Sequence, residues 1–309
     1  MTELATLTVN PTIDVAFEVD RVLPTHKIRG RDERHDPGGG GINVARVFSR
    51  LGGAARCFYL AGGATGSTLD SLVDREGIDR VRIAIAGETR IAMAVREKDS
   101  GLQYRLVADG PQISAAEWQE CLDHLAGTDF EYLVASGSLT HGLPDDFYDR
   151  VADMVVKRGK RMVLDSSGRG LAGGMAGGKV FLVKPSLGEL RSLVGERLES
   201  EAEITEAARS LVADGACENM AVTLGEDGAL LVAGNTVLRL PAVTVPALSA
   251  VGSGDSFVGA MVFRLARGHA IEDAFRFGIA AGAAAVLTPG TDLARADDIH
   301  RLFKEACQT

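Results

Sequence analysis

The 309-residue chain is short of the features that mark several protein classes. Its four cysteines, Cys57, Cys121, Cys217 and Cys307, include no Cys-x-x-Cys pair. They read as reduced thiols rather than a disulfide or metal framework. The six histidines show none of the spacings that hold zinc, so a structural zinc site is not expected. No run of 18 apolar residues occurs, which excludes a membrane-spanning helix. Met1-Thr2-Glu3 leads straight into a strand-like run, without a basic segment and long apolar stretch, so no signal peptide is expected and the location expected is cytoplasmic. Positive charge is also scarce. A net charge of -9 argues against sequence-independent nucleic-acid binding, although a few local Lys and Arg residues can still hold an anionic substrate.

What is present suits a large globular enzyme. Apolar residues make up 46% and charged residues 24%. A chain of this length buries roughly 75% of its unfolded surface without staples. Short β-rich runs alternate with helical segments. Leu4 to Val9 ends at the turn signal Asn10-Pro11, and Arg56 to Leu60, Tyr132 to Ala135, Arg161 to Asp165, Val180 to Val183 and Asn219 to Leu224 follow. Helices are predicted at Ile42 to Leu51, Asp145 to Lys157 and Glu203 to Ala213. Such alternation implies an α/β fold: a mostly parallel sheet covered on both faces, with ligands at the carboxyl ends of its strands. Two stretches break the rhythm. Ile91 to Glu97, Asp99-Ser100-Gly101 and Gln103 to Val107 read as a hairpin, and Val15 to Arg34 holds short β-like pieces. Together they would form a small sheet acting as a lid, over about 15–34 and 88–108 of a single domain spanning 1–309; two plain surface loops would give the same pattern.

Two glycine-rich segments point to chemistry. Gly252-Ser253-Gly254-Asp255 precedes an apolar helix that Gly268 would stop. Glycines let successive N–H groups point into one concavity, and a helix N-terminus favours an anion there. A carboxylate at the same place can take a proton from an alcohol while the N–H groups hold the charge of a transferring phosphoryl group. A simple helix cap is the competing reading of Asp255. Gly38 to Gly41 followed by Ile42-Asn43 has a similar form, and the Asn43 amide can donate to and accept from sugar hydroxyls. By contrast, Gly173-Gly174-Met175-Ala176-Gly177-Gly178-Lys179-Val180 is rejected as a phosphate loop, because Val180 replaces the required Ser or Thr and a strand follows where a helix should. No Gly-x-Gly-x-x-Gly fingerprint follows the first strand either.

The ordered set Asn10-Pro11-Thr12-Ile13-Asp14, Gly39-Gly40-Gly41-Ile42-Asn43, Gly137-Ser138-Leu139, Lys184-Pro185-Ser186-Leu187-Gly188-Glu189, Thr223-Leu224-Gly225 and Gly252-Ser253-Gly254-Asp255 resembles the ribokinase-type (PfkB) sugar kinases over nearly the whole chain. Within that family it is most similar to the phosphosugar kinases. The resemblance implies a ribokinase-like sandwich with a β-sheet lid. It implies ATP-dependent phosphorylation of fructose 6-phosphate at its C1 hydroxyl, with tagatose 6-phosphate, fructose 1-phosphate or a catalytically silent sugar-phosphate binder as alternatives. The 1-phosphofructokinases and tagatose-6-phosphate kinases usually carry a Lys where this chain has Gly40.

Roles follow from the same resemblance. Asp255 would be the general base, with Gly252, Ser253 and Gly254 as the anion hole. Asp14, Gly39, Gly40, Gly41, Asn43 and Ser138 would hold the sugar. Arg90, with Arg105 and Lys27, would bind its phosphate, for which guanidinium geometry is suited. Lys184, Ser186, Thr223, Gly225 and Gly228 would contact ATP, and Glu189 would organise Mg2+ through water. Ser186 stands where the family usually has Asn. Ser249, Val251, Ala285, Thr288 and Gly290 would form a monovalent-cation (K+) site. A homodimer through the lid is implied by analogy.

Overall fold

The computed structural model describes residues 2–307; Met1, where the expected opening begins, and the last two residues lie outside the described residues. The strands are β1 (Thr2–Thr8), β2 (Thr12–Val19), β3 (Arg31–Gly38), β4 (Ala55–Ala61), β5 (Asp79–Ala84), β6 (Arg90–Glu97), β7 (Gln103–Val107), β8 (Phe130–Ser136), β9 (Arg161–Asp165), β10 (Leu182–Val183), β11 (Asn219–Thr223), β12 (Ala229–Ala233) and β13 (Thr236–Leu240). The helices are α1 (Gly40–Arg50), α2 (Gly63–Arg75), α3 (Ala115–Ala126), α4 (Phe147–Lys157), α5 (Gly168–Met175), α6 (Leu187–Val194), α7 (Glu201–Ala213), α8 (Ser253–Leu265), α9 (Ile271–Val286) and α10 (Ala296–Ala306).

Nine strands form one sheet in the order β13-β12-β11-β10-β9-β8-β1-β4-β5. All neighbours from β11 to β5 run parallel, and β12 and β13 add an antiparallel edge. Strands covered on both faces read as near-continuous apolar runs. Alternate residues accordingly feed two cores. Leu4, Cys57, Tyr59, Tyr132, Val134 and Val163 pack with α1, α2, α8, α9 and α10. Leu7, Phe58, Leu60, Leu133, Ala135 and Leu164 pack with α3 to α7.

The strand order dictates where a ligand binds. From β1 the chain winds outward through β4 and β5, then returns to β8 on the other side of β1 and winds the opposite way. The carboxyl ends of β1 and β8 therefore flank a topological switch point, where a crevice opens in sheets of this kind. Thr8 and Ser136 stand at those two ends.

Four strands form a separate sheet in the order β3-β2-β6-β7. It is wider than the sequence pattern suggested. Its first half begins at Thr12 rather than 15 and ends at Gly38 rather than 34; its second runs from Arg90 to Val107 within 88–108. β3, Arg-Asp-Glu-Arg-His-Asp-Pro-Gly, is an exposed edge strand with no apolar alternation to betray it, and Pro37 is tolerated there because an edge strand needs fewer ladder donors. Two other boundaries shift. β10 covers only Leu182–Val183 of the strand expected from Val180, and just ahead of it the Asn219 side chain donates to the Phe181 carbonyl at 2.8 Å. α4 begins at Phe147 rather than Asp145.

Candidate active site

Three chain segments meet above the switch point. The first is the start of α1. Gly39 takes φ +112, and a Cβ there would lie 2.6 Å from Thr8 Cγ2. A Cβ on Gly40 would collide with Ser136 Oγ, so only glycine lets the α1 backbone sit on the two strand ends. Gly39 has no side chain to cap the helix; the Thr8 hydroxyl, reaching from β1, accepts the Ile42 N–H instead at 3.1 Å.

The second segment is the start of α8. Gly252 is left-handed at φ +74 and serves as N-cap without any side-chain cap. Asp255 lies inside the first turn and makes no capping bond, so the helix-cap reading of this residue does not hold. The Ser256 N–H is taken by the Gly252 carbonyl, while those of Ser253, Gly254 and Asp255 have no acceptor among the described residues. Three free N–H groups at the positive end of a 13-residue helix make an anion cradle.

Helices α1 and α8 touch closely because of Gly259, one turn after Asp255. A Cβ there would stand 3.0 Å from the Val44 carbonyl oxygen. That approach brings Asn43 Nδ2 to 2.9 Å from Asp255 Oδ2. The other carboxylate oxygen, Oδ1, faces the Gly40 position at 3.1 Å from where a Cβ would be. Burial raises the Asp255 carboxyl to about 7, helped by the Asp165 and Asp14 charges and opposed by the Asn43 hydrogen bond and Lys184. A carboxylate poised near neutrality is suited to accept a proton at physiological pH.

A second buried group stands beside it. Asp165, at the end of β9, pairs with Lys184 at 3.1 Å, with the Ser136 hydroxyl 3.5 Å away. Burial holds the Asp165 carboxyl above its usual range despite that lysine. Burial alone would depress Lys184, but Asp165, Glu189 and Asp255 keep its ammonium protonated. Lys184 Nζ lies 3.5 Å from where a Gly254 Cβ would be, on the rim of the anion cradle.

The small sheet supplies the third segment. Asp14 and Arg90 stand on one face of it, and Arg105 shares that face through the register Ala16↔Ala94↔Arg105. The Asp14 carboxyl lies over Gly38, where any Cβ would collide with it, and burial raises it to about 6 while Arg105, Arg46 and Arg90 pull it back. Arg90 donates to the carbonyls of Asn10 at 2.9 Å and Ala108 at 3.2 Å. These contacts fix the guanidinium without neutralising it, and it forms no ion pair among the described residues. Its Nε is buried without an acceptor.

A model of the pfkB family carbohydrate kinases matches residues 7–298. The chain belongs to that family. The ATP-dependent 6-phosphofructokinase isozyme 2 of Mycobacterium tuberculosis is 43% identical over 307 residues, 99% of this chain and 90% of that protein. A crystal structure of phosphofructokinase-2 from Escherichia coli in complex with potassium has a TM-score of 0.95 at 35% identity, covering 99% of this chain and 100% of that one. The same enzyme in complex with fructose-6-phosphate has a TM-score of 0.92, also at 35% identity, covering 99% of each chain. The fold is therefore ribokinase-like and the chain is a sugar kinase.

In this kinase most of the sequence-predicted residues converge, but some do not. Gly39, Gly40, Gly41, Asn43, Asp14, Arg90, Lys184 and Gly252 to Asp255 surround the switch point; Ser138 follows the end of β8 two residues on. Lys27 does not join them. It is exposed in the loop beyond the Glu18↔Arg31 pair, at the end of the hairpin opposite Thr12↔Gly38. Ser186 and Glu189 form a reciprocal capping box on α6, with Glu189 Oε2 accepting the Ser186 N–H at 2.7 Å. The Ser-x-x-Glu spacing carries that signal in the sequence. Thr223 bridges to Ser186, and Gly225 and Gly228 shape the turn after β11; a Cβ at Gly228 would collide with the Leu240 carbonyl. Ser249, Val251, Ala285, Thr288 and Gly290 gather around the C-terminal end of α9, where Ser249 Oγ donates to the Gly290 carbonyl at 2.7 Å and Thr288 Oγ1 to that of Ala285 at 2.7 Å. Missed altogether were Ser136, Asp165 and the buried Arg46. Ser136 and Asp165 end parallel strands, and the rule that ligands bind at carboxyl ends would have found both.

Proposed function

We propose that this kinase transfers the γ-phosphoryl group of ATP to the C1 hydroxyl of fructose 6-phosphate, giving fructose 1,6-bisphosphate and ADP. The observation that carries the reading is Asp255: a carboxyl raised to about 7, held on one oxygen by Asn43, with its free oxygen facing the crevice at the foot of an anion-binding helix. Asp255 takes the C1 proton as the oxygen attacks in line. The N–H groups of Ser253, Gly254 and Asp255, with the Lys184 ammonium beside them, hold the charge on the phosphoryl group in flight, and little else is required of the protein. Asp14, Gly39, Gly40, Gly41, Asn43 and Ser138 position the sugar hydroxyls. Arg90 and Arg105, which form no ion pair among the described residues, take the 6-phosphate. Lys184, Ser186, Thr223, Gly225 and Gly228 line the nucleotide side. Lid closure over this crevice excludes water and so suppresses hydrolysis of ATP.

The donor set fits two cations. No group of three His, Cys, Asp or Glu side chains able to hold a metal occurs among the described residues. Mg2+ suits such a site when nucleotide phosphates and water supply most of its ligands, with Glu189 and Asp165 as the nearby carboxylates. Mg2+ bound this way would neutralise the phosphate charge during transfer. The carbonyl and hydroxyl oxygens of Ser249, Val251, Ala285, Thr288 and Gly290 are neutral, which suits a monovalent ion such as K+.

Two lids would pair in a homodimer. The lid face opposite Asp14 carries Ile13, Val15, Phe17, Ile91, Met93, Val95, Tyr104 and Leu106, of which Ile91, Met93, Tyr104 and Leu106 are exposed. An apolar sheet face of this kind marks an interaction surface, and a second copy presents the matching face. The four cysteines are free, three of them buried, which suits the reducing cytoplasm.

Magnesium-dependent ADP release with fructose 6-phosphate, tagatose 6-phosphate, fructose 1-phosphate and unphosphorylated sugars tests the assignment. Preference for fructose 6-phosphate is expected. Preference for another phosphosugar would change the substrate and keep the mechanism, and silence with every sugar would overturn the catalytic reading.

A further inference from the structure

An arginine lies in the core of this kinase. The Arg46 side chain is only 1% exposed, although burying a guanidinium is costly and an apolar residue would serve packing better. It follows Asn43 by one turn of α1 and makes contacts in two directions. Toward the crevice, Nη1 donates to Asn43 Oδ1 at 3.3 Å and to the Pro37 carbonyl at 3.4 Å. Away from it, Nη2 donates to Glu76 Oε1 at 2.8 Å and stands 3.9 Å from Asp36 Oδ1. Asp36 and Pro37 belong to β3, the strand by which the lid enters α1, and Asp36 also accepts the Thr291 hydroxyl.

The chemistry of the two ends of Asn43 gives these contacts a consequence. An amide offers one acceptor and one donor end of almost equal size, and either could face a neighbour. A guanidinium has only donors, so Arg46 demands the oxygen. That leaves Nδ2 for Asp255 Oδ2. Were the amide turned over, its NH2 would meet the guanidinium and its oxygen would meet the carboxylate, two repulsive contacts at once. With Oδ2 engaged by Nδ2, Oδ1 is the oxygen left facing Gly40.

We propose that Arg46 is a positioning residue for phosphoryl transfer, which acts through Asn43 to select the Asp255 oxygen that takes the proton, and through Asp36 and Pro37 to hold the lid root in register with it. Glu76 and Asp36 serve as counter-charges that make the buried guanidinium tolerable. Arg46 is buried behind Asn43 with its side chain 1% exposed, so its loss is expected to act on turnover more than on ATP binding. The proposal rests on Asp255 being the base, and the experiment is chosen to separate the two.

The test compares Arg46→Met, Asn43→Ala and the double variant, with Arg46→Lys as the charge-conserving control. The Asp255 carboxyl is followed by 13C NMR of Asp-labelled protein, a readout that needs no substrate. Asp165 from β9, Lys184 beyond β10, Asp14 from β2 and Asn43 from α1 face this carboxyl and stay unchanged in Arg46→Met. Its titration is expected to move upward in Arg46→Met and in Asn43→Ala, and no further in the double variant. With fructose 6-phosphate, kcat in Arg46→Met should fall by about tenfold to a hundredfold, as for a misplaced reacting group. Its Kd for ATP should change less than about threefold, in keeping with an unaltered nucleotide site. If Arg46→Met does not fold, Arg46→Lys gives the same readout with a smaller shift. An unmoved Asp255 titration, or effects of Arg46 and Asn43 that simply multiply, would overturn the proposal. A moved titration with unaffected turnover would keep the Arg46–Asn43–Asp255 linkage but refute its role in transfer, while a folded Asp255→Asn that keeps its turnover is the separate outcome that would remove Asp255 as the base.

Discussion

Gly259 of α8 meets the backbone of Val44 on α1 so closely that an added Cβ would stand 3.0 Å from the Val44 carbonyl oxygen and 3.1 Å from Val47 Cβ. This contact sets the distance between two helices whose first turns carry Asn43 and Asp255. Both neighbours in the clash are rigid, one being backbone and the other a β-branched carbon, so the helices must separate to admit a methyl group. Gly259→Ala should therefore destabilise the fold by about 1–3 kcal/mol through overpacking. It should also lower kcat more than it raises KM; denaturant melts and steady-state kinetics measure the two effects. A variant as stable and active as the parent would mean that the helix spacing is not critical.

The buried carboxyl makes stability depend on pH with a definite sign. Asp255 titrates from the ordinary 3.8 to about 7 in the folded chain. Between those values the native state holds a proton that the unfolded chain has lost, so stability falls as pH rises from about 4 to 7. The difference corresponds to at most about 4 kcal/mol, and on the order of 2 kcal/mol once the partly open crevice is allowed for. Asp14, raised to about 6, works in the same direction. Asp255→Asn should raise the thermal midpoint by a few degrees at pH 8 and scarcely alter it at pH 5, where the wild-type carboxyl is already neutral. A lower midpoint for the variant at pH 8 would contradict this.

Arg90 is held by two backbone carbonyls and forms no ion pair among the described residues. Arg90→Ala should raise KM for fructose 6-phosphate by about a hundredfold, in line with loss of a charge-assisted bidentate contact. KM for ATP should change less than about threefold, since the arginine stands on the lid face. Equal loss for both substrates would remove its phosphate role.

The apolar outer face of the lid predicts an association that charge can abolish. Met93→Asp with Leu106→Asp places two carboxylates on neighbouring paired positions of β6 and β7. Sedimentation should show a dimer for the parent and a monomer for the double variant. A parent that sediments as a monomer would mean that the face has another use.

Much of this architecture was legible because it rests on local patterns. Glycines at 38–41, 252 and 254 announce tight backbone near a helix start, and Asp255 and Asn43 stand beside them. Strand–helix alternation gave the parallel sheet. What stayed hidden depends on contacts between distant segments. Ser136 and Asp165 are ordinary residues until the sheet order makes β8 and β9 neighbours of β1. Arg46 looks like a surface arginine of an amphipathic helix until Glu76 and Asp36 close over it. β3 has no apolar face from which to read its strand, and Lys27 lies at the far end of the hairpin from the crevice, a position that only the register reveals.

The central claim is that Asp255 takes the proton from the sugar hydroxyl. The most direct test is the turnover of Asp255→Asn with ATP and fructose 6-phosphate, with the affinity of each substrate measured by calorimetry on the same preparation. A fall in kcat of about 10² to 10⁴ or more with nearly unchanged affinities is predicted, the loss expected of a general base. A folded variant that turns over at close to the parent rate would contradict the account.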